Sequence, residues 1–184
     1  MPVLQKETSI FPDDLFQVDF DSLDQRYWWV VQTKPRQEKT VARALLSRET
    51  PFFLPLIPKY YMIQGRKVRS FLPLFGGYVF IHATEEQRVA ILKTNRIKKF
   101  LEVIDEQLLF DELRQIHCLI DSGVPLTVES RLQPGHRVRV KNGPFEGMEG
   151  TITRRKSNMR LQVAISFLQS AVSLEINDYR VEPI

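Results

Sequence analysis

Apolar and polar positions alternate strictly over residues 161–167, where Leu161, Val163, Ile165 and Phe167 interleave with Gln162, Ala164 and Ser166. A period of two sends successive side chains to opposite faces, so this segment reads as a strand. Residues 137–140, 150–154 and 172–176 read the same way, with a last short strand near 179–181. Five short strands in succession are enough for a small barrel. Upstream the periods change. Tyr27-Trp28-Trp29-Val30-Val31 is a bulky run that fits a buried strand. Over residues 35–48, Val41, Ala42, Leu45 and Leu46 fall at helical spacing, Pro35 suits a first helical turn, and Arg36, Lys39, Arg43 and Arg48 lie on other faces.

Residues 52–63 look extended, interrupted by Pro55 and Pro58, and Gln64-Gly65-Arg66 turns the chain back into 67–71. Residues 73–77 break the pattern and 78–81 resume it as a strand. Residues 85–93 form the next predicted helix, with Thr84 as cap and Glu85 and Glu86 in the first turn. A strand at 97–104 and a helix at 108–120 follow, the helix with Leu109, Leu113, Ile116 and Ile120 on one stripe. The order β-α-β-β-β-α-β-α predicts an α+β fold, an antiparallel sheet with helices against it. Residues 123–134 are polar and bracketed by Gly123, Pro125 and Pro134, which is linker composition. Residues 1–26 show no clean period despite Ile10, Phe11, Leu15, Phe16, Val18 and Phe20, and read as a flexible extension carrying a docking segment. The expected division is an acidic extension at 1–26, a first domain at 27–122, a linker at 123–133 and a second domain at 134–184.

Charge sharpens this division. The net charge of +4 is distributed as −4 over residues 1–26, +8 over 27–105, −3 over 106–131 and +3 over 132–184. Two basic blocks separated by an acidic one fit two modules and a connector, and a basic module is compatible with a nucleic-acid-facing surface. The single cysteine, Cys118, allows no intramolecular disulfide and fits a reducing cytoplasm. The acidic N-terminus has no basic-then-apolar signal pattern, so a cytoplasmic location is expected.

Motifs narrow the reading further. Residues 138–152 read VRVKNGPFEGMEGTI. Asn142-Gly143-Pro144 is turn chemistry, because Asn and Gly accept positive φ and Pro fixes its own near −65°. This segment resembles a KOW motif, the signature of a small SH3-like barrel. Trp28-Trp29-Val30-Val31-Gln32 resembles the opening strand of NGN domains, and Phe75-Gly76-Gly77-Tyr78-Val79-Phe80 resembles their F-P-x-Y segment. Together the two halves resemble the NusG family: an NGN antiparallel sheet flanked by helices, then a small all-β SH3-like KOW barrel. Pro73-Leu74-Phe75 and the N-terminal extension are closer to the specialised RfaH-like members than to housekeeping NusG.

The resemblance implies a bacterial transcription elongation and antitermination factor that binds the clamp helices of the RNA polymerase largest subunit and reduces pausing. By position, the polymerase-binding candidates are Trp29, Phe75, Tyr78 and Phe80, aromatics that bury large area at small rotamer cost. Alternation puts Trp28 and Val79 on the face opposite Trp29 and Tyr78, and they read as core. The DNA-binding candidates are Lys34, Arg36, Gln37 and Arg43, facing non-template DNA. Lys and Arg would contact phosphates or guanine edges and Gln would pair with adenine; for each residue the alternative is a solvated helix face. Arg66, Lys67 and Arg69 make a second basic cluster on the hairpin, able to reach upstream DNA or simply to solvate the turn. The KOW barrel is expected to recruit the ribosomal protein NusE or termination factor Rho through Phe145, Phe167 and Leu168, although Phe145 also suits a barrel plug.

No enzyme is expected. His82, His117 and His136 have no metal spacing among themselves or with Cys118, and G-x-S-x-G, P-loop and G-x-G-x-x-G patterns are lacking. No cofactor is expected, and the chain reads as a monomer. The alternative is a KOW-type RNA- or ribosome-binding protein that does not act on polymerase.

Overall fold

Two compact units, Met1–Glu106 and Gln107–Ile184, make up the chain in a computed structural model. The structure describes residues 7–17, 26–129, 135–155, 158–176 and 181–184. The first unit contains strands β1 (Ile10–Phe11) and β2 (Tyr27–Thr33), helix α1 (Glu38–Leu46) and strands β3 (Phe52–Phe53), β4 (Leu56–Ile63), β5 (Arg66–Pro73) and β6 (Tyr78–Ala83). Helix α2 (Glu85–Leu92) and strand β7 (Ile97–Glu102) complete it. Five of its strands form an antiparallel sheet in the order β1-β3-β6-β2-β7.

One face of that sheet packs on the helices. Val31 of β2, Val79 and Ile81 of β6 and Phe52 of β3 join Val41, Ala42 and Leu45 of α1 and Ile91 of α2 in one core. α1 carries the apolar stripe such packing requires, whereas α2 buries Ile91 and leaves Val89 and Leu92 exposed. α2 starts with a capping box, in which the Thr84 hydroxyl accepts from Gln87 N–H and the Gln87 side chain accepts from Thr84 N–H. The other face holds Trp28, Val30 and Phe80, all buried, with Phe53 beside Phe80 in the ladder.

The N-terminal segment belongs to this second face. Ile10–Phe11 adds an edge strand to β3, Leu54 N–H donates to Ser9 C=O at 2.6 Å, and Leu15 and Phe16 are buried. Phe16 stacks on Trp28 with centroids 6.2 Å apart and meets Phe53 edge-on at 5.1 Å. The expected flexible extension is therefore structural over residues 10–16. Two paired residues are too few to display a period, and only tertiary contact reveals them. Residues 1–6 and 18–25 of that extension lie outside the described residues.

β4 and β5 pair only with each other, as a two-stranded arm turned by Gln64 and Gly65, both at positive φ.

The second unit holds all but the first residue of helix α3 (Glu106–Asp121), then strands β8 (Thr127–Glu129), β9 (His136–Val140), β10 (Glu149–Arg155), β11 (Asn158–Ile165), β12 (Ser170–Glu175) and β13 (Val181–Pro183). They form a six-stranded antiparallel sheet in the order β13-β9-β10-β11-β12-β8. The alternating segment is a strand only as far as Ile165, with Leu161, Val163 and Ile165 buried and Gln162 buried as well; Ser166 and Phe167, expected in the strand, leave it for a 3-10 turn. Two features differ from the sequence expectation. The division between the units falls inside α3: Glu106 accepts from Trp28 N–H at 2.6 Å in the first, whereas Gln115 accepts from Glu149 N–H and Glu112 from Ser166 in the second. The expected linker contains β8, which pairs with β12. β8 is held by Arg160, whose guanidinium donates to Thr127 Oγ1, Ser173 Oγ and Ser173 C=O, each at 2.9 Å, and to Glu175 Oε1 at 3.3 Å. Ser173 Oγ in turn donates to Glu129 Oε1 at 2.7 Å. Residues 130–134 and 177–180, where the rest of the linker and the start of the final strand were expected, lie outside the described residues.

Among the described residues, no helix is long and apolar enough to cross a membrane.

Candidate interaction surfaces

Register decides which aromatics share a face. In the β2–β6 ladder Trp29 pairs with Ile81 and Val31 with Val79, whereas Val30 pairs with Phe80 and Gln32 with Tyr78. Paired residues point the same way. Trp29 therefore shares the helix-facing side with Val79, and Tyr78 and Phe80 share the opposite side with Trp28. The expected grouping of Trp29 with Tyr78, against Trp28 and Val79, does not occur. Trp29 packs against the helix-side core, edge-on to Phe100 at 6.2 Å and beneath the Arg88 guanidinium at 5.0 Å. Phe80 is wholly buried and Phe75 nearly so, the two meeting edge-on at 6.3 Å. Of the four polymerase candidates, Tyr78 and Trp29 are half-buried, and Tyr78 alone does so on the face of Trp28.

A turn fixes Tyr78. Its N–H donates to Phe75 C=O at 3.3 Å, and Gly77 between them takes φ 84°, a conformation that needs glycine at the third turn position. Gly77 also accepts from Thr33 N–H at 2.9 Å and donates to the buried Glu38 Oε1 at 2.7 Å. These bonds set the aromatic turn beside the end of β2, where the basic loop 34–37 begins. Gln32 Oε1 and Thr33 Oγ1, at the same end, are buried with no hydrogen-bond partner among the described residues.

Three of the four DNA candidates lie on or beside that loop. Lys34 and Arg36 are exposed, and Arg36 has φ 60°. The Lys34 ammonium donates to Asn95 Oδ1 at 2.9 Å, and Arg96 Nη1 donates to Gln37 Oε1 at 2.7 Å. Lys34 N–H donates to Arg96 C=O at 2.8 Å. Two loops about sixty residues apart thus present Lys34, Arg36 and Arg96 together. Asn95 and Arg96 have no local signature and emerge only from strand pairing. Arg43 lies on α1 and forms an exposed ion pair with Glu7 at 3.7 Å.

The β4–β5 arm combines cations and aromatics. Lys67 lies 4.5 Å from the Tyr60 ring, Lys59 5.5 Å from Tyr61 and Arg69 4.6 Å from Phe71. Tyr60, Tyr61, Met62, Ile63 and Val68 are exposed, and residues 56–73 carry four cations and no acid. Such interleaving suits phosphate contact with base stacking.

In the second unit Phe145, a candidate for partner contact, is 2% exposed and lies in the core rather than at the surface. Phe167 is exposed and Leu168 half-buried, on a 3-10 turn at Ser166–Leu168. Beside this turn a cleft of about 660 Å³ runs between α3 and the sheet, lined among others by Glu112, Gln115, Glu149, Gln162 and Ser166.

Among the described residues, three ionisable groups are shifted by exposed pairing. The hydrogen bond from Arg88 holds the Glu85 carboxyl below the ordinary range and raises Arg88 in return; Glu149 likewise raises Arg139. Among the described residues, no group of three or more His, Cys, Asp or Glu could hold a metal ion.

Residues 26–115 match the family model described as NusG, transcription termination factor nusG. The transcription termination/antitermination protein NusG of Pseudomonas aeruginosa is 25% identical over 173 residues, covering 85% of this chain and 98% of that protein. One chain of the crystal structure of the MjSpt4:Spt5 complex, conformation B, covers 85% of this chain and 97% of its own length, at 17% identity and a TM-score of 0.27.

Proposed function

The chain belongs to the NusG family, and from that premise we propose that it is a bacterial transcription elongation and antitermination factor. The first unit is the NGN domain and docks RNA polymerase through the face bearing Tyr78. The loop pair with Lys34, Arg36, Gln37 and Arg96 meets exposed non-template DNA, and the basic aromatic arm reaches upstream nucleic acid. The second unit is the KOW domain, recruiting NusE or Rho through Phe167 and Leu168. Within the family we read the chain as a specialised, RfaH-like paralogue, on Pro73-Leu74-Phe75 and the packed N-terminal segment.

The observation that carries this reading is the pair of bonds on Gly77. Thr33 N–H and Glu38 Oε1 fix the aromatic turn beside the basic loop, so one end of the sheet offers an aromatic anchor next to cations. A surface that bridges polymerase protein and the DNA it holds open requires that adjacency.

The test is a pull-down of bacterial core RNA polymerase by the wild-type protein and by Tyr78→Ala, with folding checked by circular dichroism. Capture by the wild type and loss in the folded variant supports clamp docking. Absence of capture by the wild type rejects it. The burial of Phe75 and the engagement of Trp29 by Arg88 favour a second reading, a KOW-type RNA- or ribosome-binding protein. Ribosome co-sedimentation without polymerase capture would select it.

A further inference from the structure

Helix α3 grips the turn that carries Phe167. Glu112 is 7% exposed, and its carboxylate accepts from both Ser166 N–H, at 2.9 Å, and Ser166 Oγ–H, at 2.6 Å. Three residues on, Gln115 Oε1 accepts from Glu149 N–H at 3.2 Å. Residues three apart share one side of a helix, so both contacts come from a single side of α3.

Ser166 opens the 3-10 turn Ser166–Leu168. The first N–H groups of a helical turn have no partner inside it. Here a carboxylate from a distant helix supplies one, in a charge-assisted bond. Three further bonds at the turn are internal. Gln169 N–H donates to Ser166 C=O at 3.1 Å, its side-chain amide donates to the same oxygen at 2.8 Å, and Ser170 Oγ donates to Leu168 C=O at 3.1 Å. Gln169 closes the turn at φ 50°. Glu112 thus ties the turn to a separate element, while Phe167, the next residue after Ser166, remains 37% exposed.

We infer that Glu112 is a positioning residue for the partner-docking turn: its bonds to Ser166 hold Phe167 presented before a partner arrives. The inference rests on reading Phe167 and Leu168 as the partner contact. A ring on an already ordered turn loses less freedom on binding than one on a loose turn, and the gain appears mainly in dissociation rate. Glutamine at 112 keeps the arrangement, because its carbonyl accepts from Ser166 N–H and its amide donates to Ser166 Oγ. Alanine leaves the turn untied.

The test compares the full wild-type chain with Glu112→Ala, Glu112→Gln, Ser166→Ala and Phe167→Ala. Affinity for purified NusE is read by calorimetry, and amide hydrogen exchange is read at residues 166–169. Glu112→Ala is expected to weaken NusE binding about tenfold and to speed exchange at Ser166. Ser166→Ala, which leaves α3 intact and keeps the N–H bond, is expected to show a smaller loss, and Glu112→Gln is expected to behave as wild type. Exchange at Ser166 unchanged in Glu112→Ala overturns the inference whatever NusE does. If Glu112→Ala does not fold, unchanged binding in Ser166→Ala beside a clear loss in Phe167→Ala overturns it. Normal NusE binding by Phe167→Ala instead rejects the partner-site reading on which the inference rests.

Discussion

The Arg88 guanidinium lies over the face of Trp29, 5.0 Å from its centroid, and 5.4 Å from that of Phe100. Glu85, one helical turn earlier, holds the guanidinium there through Arg88 Nε–H at 2.7 Å and a second bond from Nη2. An indole that a sequence reading offers to a partner is therefore engaged within its own unit.

This arrangement makes Trp29 a reporter of acid titration. The folded Glu85 carboxyl lies below the ordinary range, so its contribution is present above that range and is lost as pH falls through the lowered value. Acidification below the usual carboxylate range is expected to release Arg88 and change the Trp29 emission in a Trp28→Phe background. Glu85→Gln should show no such step.

Tyr78 and Phe80 share a face but differ in exposure, and their alanine variants should separate binding from stability. Tyr78→Ala is expected to cost about 2 kcal/mol of polymerase affinity, roughly thirtyfold, and about 1 kcal/mol of stability. Phe80→Ala empties a fully buried site and is expected to cost about 3–5 kcal/mol of stability, measured by urea unfolding. Comparable binding by wild type and a folded Tyr78→Ala would contradict the proposed docking face.

The β4–β5 arm should reveal itself through salt. If its cations meet phosphates, Lys67→Gln and Arg69→Gln should each lower the slope of log affinity against log salt by about 1 on a labelled DNA fork. Tyr60→Ala should weaken single-strand binding by about 1–3 kcal/mol if the ring stacks on a base. Fluorescence anisotropy from about 50 to 200 mM salt reads both.

Arg160 is the buried cation among the described residues of the second unit, and its removal leaves Ser173 and Thr127 short of a donor. Arg160→Ala is expected to cost about 3–5 kcal/mol of stability. Glu175→Gln, at an exposed partner, should cost under about 1 kcal/mol. Urea midpoints of the two variants check the contrast.

Local chemistry made most of the secondary structure legible. The alternation at 161–167, the Thr84 cap and the Gln64-Gly65 turn all act over a few residues, and each landed close to its expected place. What escaped depended on distant pairing. Alternation says that Trp28 and Trp29 face opposite ways but not which of them meets the helices. Both faces of this sheet are apolar, so only the pairing of Trp29 with Ile81 decides. Asn95 and Arg96 join the basic loop through the Lys34–Arg96 backbone bond, which no periodicity foretells. Thr127–Glu129 is too short and too polar to read as a strand until β12 and Arg160 are beside it.

That last strand limits how this protein can be recombined. A cassette beginning at residue 134 would carry the whole KOW-like signature yet leave β12 as a raw edge, open to pairing with other chains. It would also discard the hydroxyl and carboxylate that Thr127 and Glu129 supply to the Arg160–Ser173 network. The transplantable piece begins upstream, near Gln107, where α3 and β8 travel with the sheet they complete.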